Sequence, residues 1–312
     1  MLLRVGARGS KLSLVQTDIV LDQLKRKDPN LVVERKVIKT KGDEDQGTPI
    51  FSINQKGIFE KEIDQAVLNG RIDVAVHSLK DVPVFENDTK LVIASVPQRG
   101  SPSNVLVSRN GEHLRELKSG GRVGTSSLLR VAQLKRARPD LQAIPIRGNV
   151  DTRVQKVEEG EFDAVILAEA GLLRLGLTGR IAERLSLDDF MPAPGQGTLA
   201  LVARQDNSKV IELLQSIEDP PTRAQANAER ELVNVLEGGC KVPIGALASS
   251  NRDSLRVAGC ILSNDGKTRL ESTKSGNIRE AAGLGRAAAE ELISKGAKKI
   301  EESWRAIYLR GH

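Results

Sequence analysis

The 312-residue chain has little of what builds disulfide frameworks, metal centres and nucleic-acid platforms. Two cysteines, Cys240 and Cys260, cannot form a disulfide framework in a chain this long, and they predict a reducing, cytoplasmic compartment. The three histidines are scattered and no Cys-x-x-Cys occurs, so no metal site is expected. Seven aromatic residues, none interleaved with a basic run, argue against nucleic-acid binding. No apolar run reaches the ~18 residues of a membrane span, and no signal peptide precedes the first strand-like segment.

Positive charge is in modest excess. The chain carries 47 Lys and Arg against 41 Asp and Glu, which gives a formal charge of +6. Two interpretations stay open: an ordinary solvated surface, or basic residues that converge on a small polyanionic ligand.

Short apolar runs alternate with helical spacing along most of the chain. The sequence predicts strands at 31–40, 73–77, 122–124, 142–146 and 163–168, and helices at 12–27, 59–68, 128–137, 150–159 and 282–295. This alternation indicates α/β units with parallel sheet content.

A weak internal repeat suggests two lobes. Arg4–Gly6 and Arg122–Gly124 each open a serine-bearing turn before a helix, and residues 66–76 resemble residues 156–166. The two elements come in the same order in both halves, which favours two similar α/β lobes; chance similarity of common turns is the alternative. After the turn-rich segment 191–197, Pro220-Pro221 is interpreted as a break before a smaller third domain.

The first candidate site comes after the apolar strand that ends near His77. The segment 77–83, HSLKDVP, places Lys80 and Asp81 at the carboxyl end of that strand, where α/β folds hold ligands. Asp81 could hold a substrate ammonium or move protons at a pyrrole nitrogen. The alternative is a helix-capping aspartate beside a solvated lysine.

Cationic turns form the second candidate. Arg8 to Lys11, Gly124 to Arg130 and Arg147 to Arg153 combine hydroxyls, helix starts and guanidinium groups, which suit carboxylates or phosphates. A single turn of this kind is explained by helix capping. Several of them on related lobes predict a polycarboxylate or polyphosphate site.

Cys240 lies in the glycine-flanked segment Gly238-Gly239-Cys240-Lys241, where a cation favours the nucleophilic thiolate. An ordinary small buried residue is the alternative. Cys260, between apolar neighbours, is interpreted as a core residue.

These segments together resemble the hydroxymethylbilane synthase, or porphobilinogen deaminase, family. The match includes the segments at 8–10, 55–59, 76–83, 123–128, 147–153, 170–172, 194–197 and 237–240, in the family's order. The resemblance implies an α/β fold with two periplasmic-binding-protein-like lobes and a smaller C-terminal α/β domain. It implies domain 1 at 1–96 and 192–217, domain 2 at 97–191, and domain 3 at 218–312 with the cofactor cysteine.

The implied activity is that of a transferase of porphyrin, tetrapyrrole and heme biosynthesis. It joins four porphobilinogen units head to tail, with loss of ammonia, on a covalent dipyrromethane cofactor. The resemblance makes Asp81 catalytic and Cys240 the thioether attachment. It assigns cofactor binding to Lys80, Ser126, Ser127, Arg130, Asn149 and Arg153, and substrate binding to Arg8, Ser10, Lys56, Arg147 and Arg174. A monomer is expected. The rival hypothesis is a non-catalytic, two-lobed protein that binds anions or pyrroles.

The sequence departs from the family pattern at three places. Leu129 stands where the Ser-Ser-Leu-Arg-Arg segment has its first arginine, and Ser52 replaces a basic residue. Residues 101–104 read Ser-Pro-Ser-Asn instead of Asp-Pro-Arg-Asp. These changes imply rewired contacts, weak activity, or pyrrole binding without synthesis. Because Cys240 and Asp81 are both retained, an active enzyme is favoured.

Overall fold

A computed structural model describes residues 1–40, 61–83, 90–236 and 242–308. Its strands are β1 Leu2–Ala7, β2 Val32–Val37, β3 Val74–Ser78, β4 Leu91–Ser95, β5 Asn104–Ser108, β6 Arg122–Gly124, β7 Gln142–Ile144, β8 Ala164–Ala168, β9 Glu183–Arg184, β10 Leu199–Arg204, β11 Ile244–Asn251, β12 Ser254–Leu262 and β13 Arg269–Asn277. Its α-helices are α1 Lys11–Lys27, α2 Lys61–Leu68, α3 Leu128–Ala137, α4 Val150–Glu158, α5 Glu169–Arg174, α6 Ser208–Gln215, α7 Pro220–Val235, α8 Ala281–Ser294 and α9 Ala297–Tyr308.

The chain divides into two compact units. Among the described residues, one unit comprises 1–40, 61–83, 90–100 and 197–223, and the other comprises 101–196, 224–236 and 242–308. The first unit is the first lobe, and residues 101–196 of the other unit are the second lobe. The three-domain boundaries drawn from the sequence stay a prediction.

The sheet of the first lobe has the order β2-β1-β3-β10-β4. Strand β1 is parallel to β2 and β3, whereas β10 runs antiparallel to β3 and to β4. Val74 and Val76 belong to the apolar cluster on one face of this sheet and Ala75 to the cluster on the other, as expected for strands covered on both faces.

The sheet of the second lobe repeats this arrangement with the order β7-β6-β8-β5-β9. Strand β6 is parallel to β7 and β8, and β5 is antiparallel to β8 and β9. The antiparallel strand beside β3 comes late in the chain, whereas the one beside β8 precedes its lobe's parallel strands. Two comparable α/β lobes and the predicted α/β fold class are therefore confirmed.

A third sheet, β11-β12-β13, is antiparallel throughout. It shares one apolar cluster with α3, α7 and α8, which includes Leu129, Leu232 and Leu292. The second lobe and this C-terminal region thus have a common core.

Two predictions for the C-terminal half are confirmed. Pro220 and Pro221 lie where the chain breaks after α6, and they form the first turn of α7, a position where the missing N–H of proline costs nothing. The helix predicted at 282–295 is α8, Ala281–Ser294, and Gly296, whose φ of +104° suits a helix end, separates it from α9.

Candidate functional site

Asp81 lies directly after β3, in a single 3-10 turn over Leu79–Asp81. Buried Leu79 anchors the turn, and its N–H donates to the Thr198 carbonyl at 2.9 Å. The Asp81 side chain is exposed and makes no hydrogen bond or ion pair with the residues that the structure describes. A rigid strand end therefore carries a carboxylate that is accessible to a ligand.

Two further contacts hold the end of β3. The Gln16 amide donates to Ser78 Oγ at 3.0 Å, and the His77 ring Nε2 lies 3.0 Å from Asp64 Oδ1. Gln16 and His77 are both about 5% exposed. Buried polar contacts of this kind fix the strand end from two neighbouring helices.

The turn after β1 contains Arg8 and Ser10. Ser10 caps α1, because its Oγ accepts from the Ser13 N–H at 3.3 Å. The Arg8 N–H donates to Ser13 Oγ at 3.0 Å. This turn has the capping geometry that the sequence left as an alternative, so substrate binding by Arg8 and Ser10 stays a prediction.

In the second lobe, Ser126 and Ser127 come after β6. Ser126 Oγ donates to the Ile146 carbonyl at 2.6 Å and accepts from the Ile146 N–H at 3.0 Å. Ser127 Oγ caps α3 by accepting from the Arg130 N–H at 3.5 Å. The two hydroxyls bind backbone atoms in this structure, and their cofactor role stays a prediction.

Arg130 has an unusual environment for a guanidinium. It is 8% exposed, and it donates to Asn104 Oδ1, the Ile166 carbonyl and Gln196 Oε1 at 3.0, 3.0 and 3.1 Å. All three acceptors are neutral, and no carboxylate of a described residue pairs with it. Burial and the charge of Arg153 lower the pKa of the guanidinium to about 9. A buried cation without a carboxylate is a strong attractor for an anionic group.

The second cationic turn comes after β7. Arg153 Nε donates to the Gly148 carbonyl at 2.8 Å, which folds the side chain back over the turn that starts α4. Asn149 is the exposed N-cap and makes no side-chain capping bond. Arg147 is half-buried in the same turn.

Arg174 ends α5, the short helix after β8. Burial lowers the pKa of its guanidinium to about 10. All seven sequence-predicted site residues of the second lobe therefore follow its parallel strands along the chain: Ser126, Ser127, Arg130, Arg147, Asn149, Arg153 and Arg174.

The departure at position 129 has a packing explanation. Leu129 is 5% exposed and belongs to the apolar cluster that α3 shares with the third sheet. A leucine fits this cluster, whereas a guanidinium there would need a polar partner.

Of the two cysteines, only Cys260 lies among the described residues; Cys240, like Lys56, lies outside them. Cys260 is a fully buried free thiol on β12, and burial raises its pKa to about 11. Its interpretation as a core residue is confirmed.

Sequence reasoning missed several buried polar residues. Glu169 is 2% exposed and is paired with Arg184; burial raises its pKa, but hydrogen bonds from Arg184 and Ser101 outweigh this and lower the pKa overall. Glu229 is fully buried in α7. Glu229 shares a helix face with Ala226 and Leu232, and a carboxylate among these apolar residues is the signal that could have revealed it.

The described ranges contain neither a metal-binding cluster nor a membrane helix. No group of three or more His, Cys, Asp or Glu side chains there could hold a metal ion. None of the helices described is long and apolar enough to cross a membrane.

Comparisons with known proteins show the family to which the chain belongs. The family model "Porphobilinogen deaminase, dipyromethane cofactor binding domain" matches residues 3–212, and "Porphobilinogen deaminase, C-terminal domain" matches residues 224–294. A "Probable porphobilinogen deaminase" of Nitrosopumilus maritimus is 48% identical over 96% of each chain. A porphobilinogen deaminase of Desulforudis audaxviator is 45% identical over 95% of this chain and 96% of the relative. Among solved structures, the methionine-binding protein MetQ aligns with a TM-score of 0.43 and 13% identity, over 73% of this chain and 94% of that one.

The family model and the relatives of this two-lobed α/β protein identify its class, which is that of a transferase. The chain belongs to the porphobilinogen deaminase family, whose cofactor is dipyrromethane.

Proposed function

We propose that this protein is a hydroxymethylbilane synthase. It condenses four porphobilinogen molecules head to tail, releases one ammonia per unit, and tethers the growing chain through Cys240. The observation that carries the proposal is the buried Arg130 guanidinium, which has only neutral acceptors among the described residues. Porphobilinogen carries an acetate and a propionate arm, so each added unit brings two carboxylates to such a cation.

The residues present fit a dipyrromethane cofactor. Its acidic arms would give Arg130 the counterion it lacks, and the charge of Arg153 acts on the same guanidinium. Lys80, Ser126, Ser127, Asn149 and Cys240 complete the proposed holding set. When bound, the cofactor supplies the pyrrole carbon to which the first substrate unit is joined.

Asp81 is the proposed catalytic residue. Its carboxylate is exposed and makes no bond to the described residues, so it can approach a pyrrole N–H and stabilise positive charge that develops there. The same carboxylate can hold and return a proton during deamination, coupling and final hydrolysis. The buried Leu79 anchor keeps the turn in place while this happens.

Substrate carboxylates are the proposed ligands of Arg8, Ser10, Lys56, Arg147 and Arg174. Arginine suits this role because its planar fork binds a carboxylate through two hydrogen bonds. The partial burial of Arg174 supports it further, since a desolvated guanidinium gains more from an anion than a fully hydrated one does.

The proposed setting is the cytoplasm, with the enzyme as a monomer, no nucleic-acid partner and no membrane. The low cysteine content supports a reducing compartment. Size-exclusion chromatography with light scattering tests the monomer.

Intact-protein mass spectrometry under denaturing conditions tests the function. Freshly made, active protein should carry added mass on Cys240, and Cys240→Ser should lose both the mass and the activity. An unmodified residue 240 in active protein would favour the rival, a non-catalytic pyrrole-binding protein. Cys260→Ser is the matched control, because that thiol is fully buried and should carry no added mass.

A further inference from the structure

The amides that hold Arg130 are themselves held in one orientation. Asn104 Nδ2 donates to the Phe190 carbonyl at 2.9 Å, and Gln196 Nε2 donates to the carbonyls of Pro102 and Ser103 at 2.6 and 3.2 Å. Because each NH₂ group faces carbonyl oxygens, each amide oxygen must face the guanidinium. Both side chains are about 1% exposed, so water cannot replace these partners.

A buried carboxylate fixes the turn that carries Gln196. Glu229 Oε2 accepts from the Gly195 N–H at 2.6 Å, and Glu229 Oε1 accepts from the Ala248 N–H at 2.7 Å. Gly195 has a φ of +75°, which glycine adopts without strain. Glu229 thus connects α7 and β11 to Gly195, the residue next to Gln196.

We infer that Asn104 and Gln196, with Glu229 behind them, are positioning residues that hold the Arg130 guanidinium in place without neutralising it, so that a carboxylate of the bound pyrrole ligand becomes its counterion. This inference rests on the proposed function. Contacts with described residues use three of the five N–H groups of Arg130.

The inference depends on residue 104 being uncharged. An aspartate there would lie within hydrogen-bonding distance of Arg130 Nε and would satisfy its charge inside the protein. The ligand carboxylate would then compete with an internal one, and the site would bind anions more weakly. Residue 104 is also a position where the sequence departs from the family pattern, by an asparagine for an aspartate.

The test uses the full chain with Cys240→Ser, so that no covalent cofactor forms, and titrates it calorimetrically with porphobilinogen. Asn104→Asp should raise the dissociation constant about tenfold. Asn104→Ala keeps the charge of Arg130 but removes one acceptor, and should raise it about threefold. Asn104→Asp should also flatten the dependence of binding on salt concentration, because it removes one net positive charge from the site.

Asn251→Asp is the matched control. It makes the same change of charge at an exposed end of β11 and should leave porphobilinogen binding unaltered. If Asn104 were only a packing and hydrogen-bonding residue, Asn104→Ala would weaken binding at least as much as Asn104→Asp, and that order overturns the inference. Gln196→Glu provides a second carboxylate next to Arg130 should Asn104→Asp fold poorly, and unchanged affinity in a folded Gln196→Glu chain overturns it too.

Different measurements decide the counterion role of the ligand and the proposed synthase function. If the Cys240→Ser chain binds no porphobilinogen, the counterion role is overturned, while the added mass on Cys240 of the unmutated chain still decides the proposed function.

Discussion

The two lobes share one strand order but differ in the turns at the carboxyl ends of their strands. Asp73 before β3 and Asp163 before β8 occupy the same place, and each exchanges hydrogen bonds with the backbone of an arginine in the neighbouring parallel strand. From there the lobes diverge. The first lobe continues to the exposed Asp81, whereas the second lobe has Gly171 at the corresponding position, and its cation Arg130 is buried.

This difference shows how one scaffold hosts two kinds of chemistry. The strands position their carboxyl ends alike, and the residues of the adjoining turns decide whether that edge offers an acid or cations. In the proposed enzyme the first lobe supplies the proton-moving Asp81 together with the cations Arg8 and Lys80, and the second lobe supplies Arg130 and Arg153 for carboxylates.

The largest expected effect comes from removing the Asp81 carboxylate, which distinguishes the first lobe from the second. Asp81→Asn should lower turnover by about 10²- to 10⁴-fold, because it removes a general acid-base group. Thermal stability should stay the same, since the carboxylate is exposed and bonded to no described residue. Steady-state kinetics and a melting curve measure the two quantities. Asp22→Asn, also exposed and in the same lobe, should retain full turnover. Near-normal turnover of Asp81→Asn would show that Asp81 is not the catalytic acid-base group.

Arg153→Leu tests the cationic side of the comparison. Loss of a charged hydrogen-bond donor should reduce porphobilinogen affinity roughly 10- to 100-fold. The same change should raise the pKa of Arg130, because the charge of Arg153 lowers it. Arg115→Leu is the control, since that side chain is 83% exposed. Equal binding by the two variants would remove Arg153 from the site.

The paired aspartates permit a stability comparison between the lobes. Asp73 accepts from the Arg4 backbone N–H and from its guanidinium, with distances of 2.8, 3.1 and 2.6 Å. Asp163 accepts from the Arg122 N–H at 2.6 Å, while the Arg122 guanidinium lies over the Phe162 ring.

Asp73→Asn should therefore destabilise its lobe by about 2 kcal/mol, and Asp163→Asn by about 1 kcal/mol. Hydrogen exchange at the amides of β1 and β6 measures each lobe separately. The reverse order would show that the ion pair in the first lobe adds nothing.

The smallest expected effect is on the pH dependence of thermal stability. Arg138 beside Asp140 lowers the pKa of that carboxyl to about 2, chiefly through side-chain hydrogen bonds, and this pair lies in the second lobe. A depressed folded-state pKa contributes stability above pH ~4, and that contribution is lost as the pH falls through about 2. The melting temperatures of Asp140→Asn and of the unmutated chain should thus differ slightly at pH 5 and converge toward pH 2. A difference in melting temperature that grows as the pH falls would contradict the assignment of the low pKa of Asp140 to its pairing with Arg138.

Much of the fold was predictable because local rules and tertiary packing agree. Residues 122–124 and 128–137 have the boundaries predicted from periodicity, and Ser127 caps α3 as its residue type favours. The prolines at 220 and 221 mark a break in the chain, as predicted, because the same residue type that ends one segment also suits the first turn of the next helix. The Asp219 carboxylate accepts from the Thr222 N–H and hydroxyl at this helix start, a contact that the structure adds.

The candidate site was predictable in position and not in environment. Parallel strands bring their carboxyl ends to one edge, so the turns after β6, β7 and β8 could be grouped from the sequence. The burial of Arg130 could not, because its partners Asn104 and Gln196 are 26 and 66 residues away along the chain. No local pattern states which distant amide will meet a guanidinium.

The buried thiol of Cys260 on β12 provides an internal reference for chemical labelling. A native chain exposed to a thiol-specific alkylating reagent should modify Cys260 at a negligible rate, since that sulfur is both inaccessible and protonated at neutral pH. Label taken up by the folded chain then belongs to Cys240. Under the proposed thioether attachment, the active chain should take up less than one label, and labelling of the unfolded sample, in which Cys260 also reacts, calibrates the measurement.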